Sequence, residues 1–435
     1  MAIAIFLLTL TLVIWQPRGL GIGFTALAGA LLAVVAGIVT LPDILTFSAT
    51  LWNATVTLLA LIIIGLILEE AGFWRWLALQ MANWGMGCTR LLFSLVVLLG
   101  ILGTMVLTNV GMTLIWTSTL MEMLMVLRFS ARATLAVVFT TSFIADAASL
   151  LLPVSNPVNM LSTEYFQSSG LRYVMVMVPV TGVALATSLG VLWFYFQRYL
   201  PPTYDLTRLP LPRRVMRDPL VCQGGFVILG LLPIGYAIAP AISIPISAVA
   251  AIAALAMLAL TRRWFYKQIP AVIPLKKVWR GIPWQLILFS LGMYIVTMGL
   301  AQAGMTDRIG QCLEKMSAWG LTFAATGTGG VATLLSGAVN NLPTVLLNGL
   351  AIKETTQLDP VMAEVMVYAN IIGCTIGAKI LPLGSLSTLV WFNVLRRKKL
   401  RFNWVQYVSL SLSLSIPVLF LSLLSLSVWL PWLIA

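Results

Sequence analysis

The chain is a succession of apolar tracts separated by short polar stretches. A hydrocarbon layer of about 30 Å takes roughly 20 apolar residues per helical crossing, so a chain of 435 residues has room for about ten spans. The tract from Ala2 to Trp15 lacks a basic flank and a small-residue cleavage site, and the tract from Gly21 to Leu41 follows at once. It reads as a first span and not as a removed signal. Two tracts differ from the rest. Leu91 to Leu127 and Leu321 to Ile352 are each long enough for two half-helices and carry polar centres, "LTNVGMT" and "GAVNNLPT". Irregular backbone cannot face lipid, so each is expected to be a re-entrant helical hairpin whose tip lies inside the protein. Two other apolar tracts, "DAASLLLPVSNPVN" and "CTIGAKILPLGSLST", are broken by proline and hydroxylic residues and read as broken transmembrane helices.

These features recur. Setting "LWNATVTLLALIIIGLILEEAGFWR" against "PWQLILFSLGMYIVTMGLAQAGMTDR" pairs Trp52 with Trp284 and Ala71-Gly72 with Ala303-Gly304, and the same offset pairs Asn109 with Asn341. Pro153 and Pro382 then pair the two broken tracts. Three matched elements in one order predict an internal repeat. Each half reads as three spans, a hairpin, a broken span and a final span. A hairpin returns to its own side, so each half crosses five times and the second half is inverted. The expected architecture is an all-α polytopic membrane protein of about ten spans plus two hairpins, with repeats over residues 1–198 and 219–435 and a basic linker over 199–218.

Composition sharpens this reading, since 60% of the residues are hydrophobic and only 9% are charged. The net charge of +13 comes from clusters between the tracts: Arg198 with Arg208, Arg213, Arg214 and Arg217; Arg262 to Arg280; and Arg396, Arg397, Lys398, Lys399 and Arg401. The positive-inside rule places all three in the cytoplasm and excludes a nucleic-acid-binding face; on this count both termini face the periplasm. Four cysteines without CxxC spacing and no histidine argue against a zinc site, a His-based catalytic centre or any cofactor. With one deep aspartate, an intramembrane protease is excluded as well.

The candidate chemistry lies at the discontinuities. Asp146 is the one carboxylate deep within an apolar segment that also breaks, and Lys379 is its natural partner in the pseudo-equivalent element. The pair reads either as a fixed tie between the halves or as the ion-coupling site. Pro153, Ser155, Asn156, Pro157 and Asn159 in one broken span, and Pro382, Gly384, Ser385, Ser387 and Thr388 in the other, free backbone groups and add hydroxyls. The hairpin tips add Asn109, Asn340, Asn341 and Thr344. Four discontinuities are expected to converge on one midplane cavity for a polar solute. Cys374 reads as a small packing residue, Glu69 and Glu70 as markers of a span end, and Trp404, Trp429 and Trp432 as part of an interfacial belt.

The segments "VIWQPRGLGIG", "LWNAT", "FIADAASLLLPVSNPVNMLS", "NNLPTVL", "PWQLILFSLGMY" and "YANIIGC" resemble the arsenite permeases, the ArsB-type arsenical pump membrane proteins of the ion transporter superfamily. The resemblance spans nearly the whole chain. It implies efflux of the uncharged hydroxides of As(III) and Sb(III), arsenite and antimonite, across a bacterial inner membrane by proton antiport with alternating access. It also implies a soluble ArsA-type ATPase as partner in some systems and leaves room for a homo-oligomer. The family's hairpin-tip motif falls on Asn109, Val110 and Gly111, and its broken-span motif on Gly373 to Ser385. Where the family has aspartate, this chain has Val110 and Thr375, and Ala378 stands for a proline, so the coupling ion is open. Two rivals share the plan: a sodium-coupled dicarboxylate or oxyanion transporter, whose tip motif "VSNPVN" echoes, and a passive As(OH)3 channel.

Overall fold

The computed structural model describes residues 1–263, 272–355, 359–400 and 402–434. Arg401 and the part of the second basic cluster between 264 and 271 lie outside the described residues, as does the side chain of Arg213. Every regular element among the described residues is helical, as expected where lipid offers the backbone no partner.

The first half comprises α1 (Ala2–Trp15), α2 (Ile22–Val35), α3 (Leu41–Ala71), α4 (Phe73–Trp84), α5 (Thr89–Val126), α6 (Ala131–Ala148), α7 (Pro157–Tyr165) and α8 (Gly170–Phe196). A short helix α9 (Pro212–Val215) lies in the linker. The second half comprises α10 (Pro219–Ile238), α11 (Ile246–Thr261), α12 (Leu275–Gly281), α13 (Trp284–Leu300), α14 (Thr306–Ser317), α15 (Leu321–Val339), α16 (Asn341–Glu354), α17 (Pro360–Thr375), α18 (Leu386–Arg397) and α19 (Trp404–Ile434). Eight helical stretches among the described residues are long and apolar enough to cross a membrane, and three apolar helices, α1, α2 and α11, are shorter. The chain is a multi-pass membrane protein. The short helices α4, α12 and α14 were not foreseen.

Local chemistry sets the helix ends. Thr40 and Asp43 form a reciprocal capping box on α3, Ser130 caps α6, Asn156 caps α7 and Asp218 caps α10. The α3–α4 turn needs Gly72: its φ is +87°, and a Cβ there would lie 2.2 Å from the Val215 carbonyl oxygen of the linker.

Helix α5 cannot be one straight rod, because Trp116 Nε1 donates to the Val96 carbonyl 20 residues away at 3.4 Å. At 1.5 Å rise per residue those groups would otherwise stand roughly 30 Å apart. The chain turns at Thr108, whose φ of 68° and ψ of 158° are not helical. Helices α15 and α16 meet at Asn340 with φ 90° and ψ 154°, 232 residues later. The same offset relates the αL glycines Gly72 (φ 87°, ψ 10°) and Gly304 (φ 80°, ψ 20°). At an offset of 229, Leu152 and Leu381 are both extended, as are Asn156 and Ser385, and α7 and α18 begin on the next residues.

The described members of the three basic clusters gather at one end of the molecule. Arg217 N–H donates to the Ala71 carbonyl, Arg263 pairs with the buried Asp218, Lys277 pairs with Glu70, and Lys398 and Arg75 share Glu122 at the close of the first hairpin. The far end of the second hairpin lies elsewhere, with Lys353 Nζ 5.0 Å from the Tyr165 ring at the end of α7.

Candidate substrate and ion site

The two charges that the sequence singled out meet. Asp146, in the last turn of α6, and Lys379, in the one-turn helix after α17, are each 2% exposed and lie 2.5 Å apart between Oδ2 and Nζ. Bare charges at this depth would be costly, and each is fully engaged. Lys379 Nζ also donates to the Ser142 carbonyl and to Ser142 Oγ, both at 2.9 Å, using its three protons. Asp146 Oδ1 accepts from Asn109 Nδ2 at 2.9 Å and from Ser387 Oγ at 2.8 Å. Asn109 sits at the start of the second hairpin arm and Ser387 in the first turn of α18. The carboxylate therefore faces two helix N-termini, whose partial positive charge favours it.

The other discontinuities join this centre through hydrogen bonds. Asn156 Nδ2 reaches Ser149 Oγ at 3.3 Å and Thr375 Oγ1 at 3.4 Å, so the two broken spans touch. The second hairpin tip clasps the other broken span through its backbone. Asn341 N–H donates to the Gly384 carbonyl at 2.8 Å and Asn340 Nδ2 to the Leu383 carbonyl at 3.0 Å. Gly384 must be small, because a Cβ there would lie 2.2 Å from the Ala378 carbonyl oxygen. Ser385 Oγ lies 2.9 Å from Ser387 Oγ, so one chain of contacts runs from the second tip to Asp146 and on to the first tip.

Several expected contact residues are committed elsewhere. Ser155 Oγ donates to the Met105 carbonyl in the first hairpin, Thr344 Oγ1 turns back to the Asn340 carbonyl, and Asn340 Oδ1 caps α16. Gly111 N–H donates to Thr108 Oγ1, which holds the first tip. Of the side chains at the two tips, Asn109 Oδ1 and Asn341 Oδ1, one from each tip, are buried and have no hydrogen-bond partner among the described residues, as is true of Asn159 Oδ1 in the first broken span. Asn109 has its orientation fixed, since only its amide nitrogen can face Asp146. Buried acceptors left open are rare and costly in proteins, and they mark a place for a donor.

Three supports were not read from the sequence as site residues. Ser142 lies one turn before Asp146 on the same helix face, a spacing that could have flagged it. Ser387 was seen only as one of several hydroxyls. Tyr407 on α19 donates to the Lys379 carbonyl at 2.8 Å and packs against Trp391, whose Nε1 donates to the Val138 carbonyl. A tyrosine in a Leu/Ser-rich helix carries no such signal. Cys374 is buried, and its Sγ lies 3.4 Å from Asn370 Oδ1.

A family model described as arsenical pump membrane protein matches residues 1–430. The chain is 43% identical over 424 residues to the arsenical pump membrane protein of Escherichia coli, covering 98% of this chain and 97% of that one, and equally to that of Yersinia enterocolitica. It is 29% identical over 449 residues to the putative arsenical pump membrane protein of Bacillus subtilis (strain 168), covering 98% and 99%. Among solved structures, the Alcanivorax borkumensis YdaH transporter is similar over 98% of both chains with a TM-score of 0.54 and 12% identity, a likeness of fold.

Proposed function

Because the chain belongs to the arsenical pump membrane protein family, we propose that it expels the neutral hydroxides of As(III) and Sb(III) across a bacterial inner membrane, by proton antiport with alternating access. The observation that carries this reading is the pair of open acceptors, Asn109 Oδ1 and Asn341 Oδ1. A trihydroxide such as As(OH)3 brings three O–H donors and no charge. A dicarboxylate or oxyanion needs donors instead, and the Lys379 ammonium, the Asn109 amide and the Ser387 hydroxyl are already spent on Asp146.

The same arrangement supplies a coupling mechanism. While Asp146 is ionised, its charge holds the Asn109 amide nitrogen and leaves Asn109 Oδ1 facing outward for a substrate hydroxyl. A protonated Asp146 becomes a donor, and its O–H competes for that oxygen once the amide turns. Proton and substrate thus exclude each other at one asparagine, which is what antiport requires. A proton arriving from the acidic side must displace the ion pair that Asp146 makes with Lys379.

Alternating access through two inverted repeats is supported by the recurring backbone breaks at offsets of 232 and 229 residues. It is also supported by the hairpins' ends: the first closes at the basic, cytosolic end through Glu122, and the second closes beside Tyr165. The test is arsenite uptake by everted membrane vesicles with and without an imposed pH gradient, acid inside. Accumulation above equilibrium that collapses with the gradient is expected. Equilibration alone would indicate a passive channel, and dependence on a sodium gradient would indicate the rival transporter.

A further inference from the structure

The basic end of the molecule contains a second set of ionisable groups that the central site does not use. A cavity of about 290 Å³ lies between the end of α3, the second arm of the first hairpin, α12 and the end of α18. Three carboxylates cluster there. Glu70 pairs with Lys277 at 2.7 Å and Arg217 at 3.5 Å. Glu122 pairs with Arg75 at 2.9 Å and Lys398 at 2.5 Å. Glu69, which lines the cavity and is half-buried, makes no side-chain ion pair or hydrogen bond among the described residues. Four cations, Lys277, Arg217, Arg75 and Lys398, are held by its neighbours, and Arg280 and Arg397 complete the charged rim. Glu69 also sits in the last turn of α3, where the helix dipole opposes a negative charge.

Two of the cavity's walls lead to Asp146. The hairpin arm that contributes Leu114 and Ser118 begins at Asn109, and α18, which contributes Val394 and Arg397, begins beside Ser387. Those two residues donate to Asp146 Oδ1. Along the arm, Thr113 and Thr117 follow Asn109 at one-turn spacing in an apolar helix, both buried, and Thr113 Oγ1 has no partner.

We propose that Glu69 is the proton-transfer residue on the cytosolic exit: it takes the proton that leaves Asp146 and passes it to water in the vestibule. This rests on the proton-antiport reading and adds a second carboxylate to it. The proton leaves the Asp146 carboxylic acid, regenerating the carboxylate that Lys379 pairs. It travels through water and the Thr113 and Thr117 hydroxyls to the Glu69 carboxylate, and then to cytosolic water, with no net change at either residue. A carboxylate that no cation pairs among the described residues, flanked by two others, can accept and release a proton.

The experiment uses the full chain in everted vesicles, where the vestibule faces the outer medium. In Glu69→Gln, gradient-driven arsenite uptake should fall at least about tenfold and lose its dependence on outer pH, as for removal of a proton-transfer group. Arsenite–arsenite exchange at equal pH should stay within about twofold, because exchange needs no net proton release, and Glu69→Asp should restore driven uptake. Driven uptake by Glu69→Gln at the wild-type level would overturn the proposal, as would equal loss of driven uptake and exchange, which marks a structural role. If wild-type uptake ignores the pH gradient, the antiport reading and this proposal fail together; if only the variant's indifference fails, the antiport reading stands.

Discussion

Replacing Asp146 by asparagine removes the counter-charge of a buried ammonium while keeping size and shape. Lys379 retains its two bonds to Ser142 and loses its ion pair at 2.5 Å. Breaking a buried pair on one side costs about 3–5 kcal/mol, because the remaining charge is stranded. The hydrogen bonds themselves need not be lost: with its oxygen toward Lys379, the new amide can donate to the Ser387 hydroxyl and, once the Asn109 amide turns, to Asn109 Oδ1. Adding Lys379→Met removes the stranded charge, and the double variant should recover to within about 1–2 kcal/mol of wild type. Unfolding of the purified variants in detergent reads the stability cycle, and everted vesicles read transport. The proton-carrier role predicts that the double variant folds, equilibrates arsenite and never accumulates it against a gradient. Full pH-driven accumulation by the double variant would refute that role and move the coupling elsewhere.

Other changes separate the binding contacts from the scaffold. Asn109→Ala or Asn341→Ala should cut arsenite and antimonite transport by about tenfold or more for each lost hydrogen bond to a desolvated solute, with little change in expression; wild-type resistance in both would remove the tips from the site. Cys374→Ser should keep efflux within about twofold, since the thiol touches Asn370; loss of arsenite binding would point to a thiolate mechanism. Tyr407→Phe removes the donor to the Lys379 carbonyl and should cost about 1–2 kcal/mol of stability, read by thermal unfolding. A variant as stable as wild type would show that the bond does not hold Lys379 in place.

Polar residues at the centre of an over-long apolar tract announced both hairpins, because membrane burial leaves a broken backbone few explanations. The breaks fall at Thr108 and Asn340, within the two motifs. Asp146 and Lys379 were legible as partners for a similar reason: charges at that depth are scarce. Composition could not say which polar side chain at a break is spent on the scaffold. Asn340 and Asn341 are adjacent and chemically identical, yet one caps a helix and binds Leu383 while the other leaves an oxygen open. That difference depends on where the α16 axis starts, to one residue. Ser155 illustrates the same limit, as its hydroxyl turns to the first hairpin because the short helix after Leu152 rotates it that way. The helices α4 and α14 escaped notice because each follows the preceding helix across a single left-handed glycine, Gly72 or Gly304, and α14 is an amphipathic segment carrying Asp307, Arg308, Glu314 and Lys315 that no apolar tract marks.

The central claim is that a neutral trihydroxide binds between the two hairpin tips, and the arsenic absorption edge tests it directly. Anomalous difference density from crystals of the protein grown with arsenite should show one arsenic site, its hydroxyl oxygens about 2.8 Å from Asn109 Oδ1 and Asn341 Oδ1. That peak should vanish in Asn109→Ala crystals. Arsenic bonded to Cys374 Sγ, or lodged away from both tips while those oxygens stay open, would contradict the account.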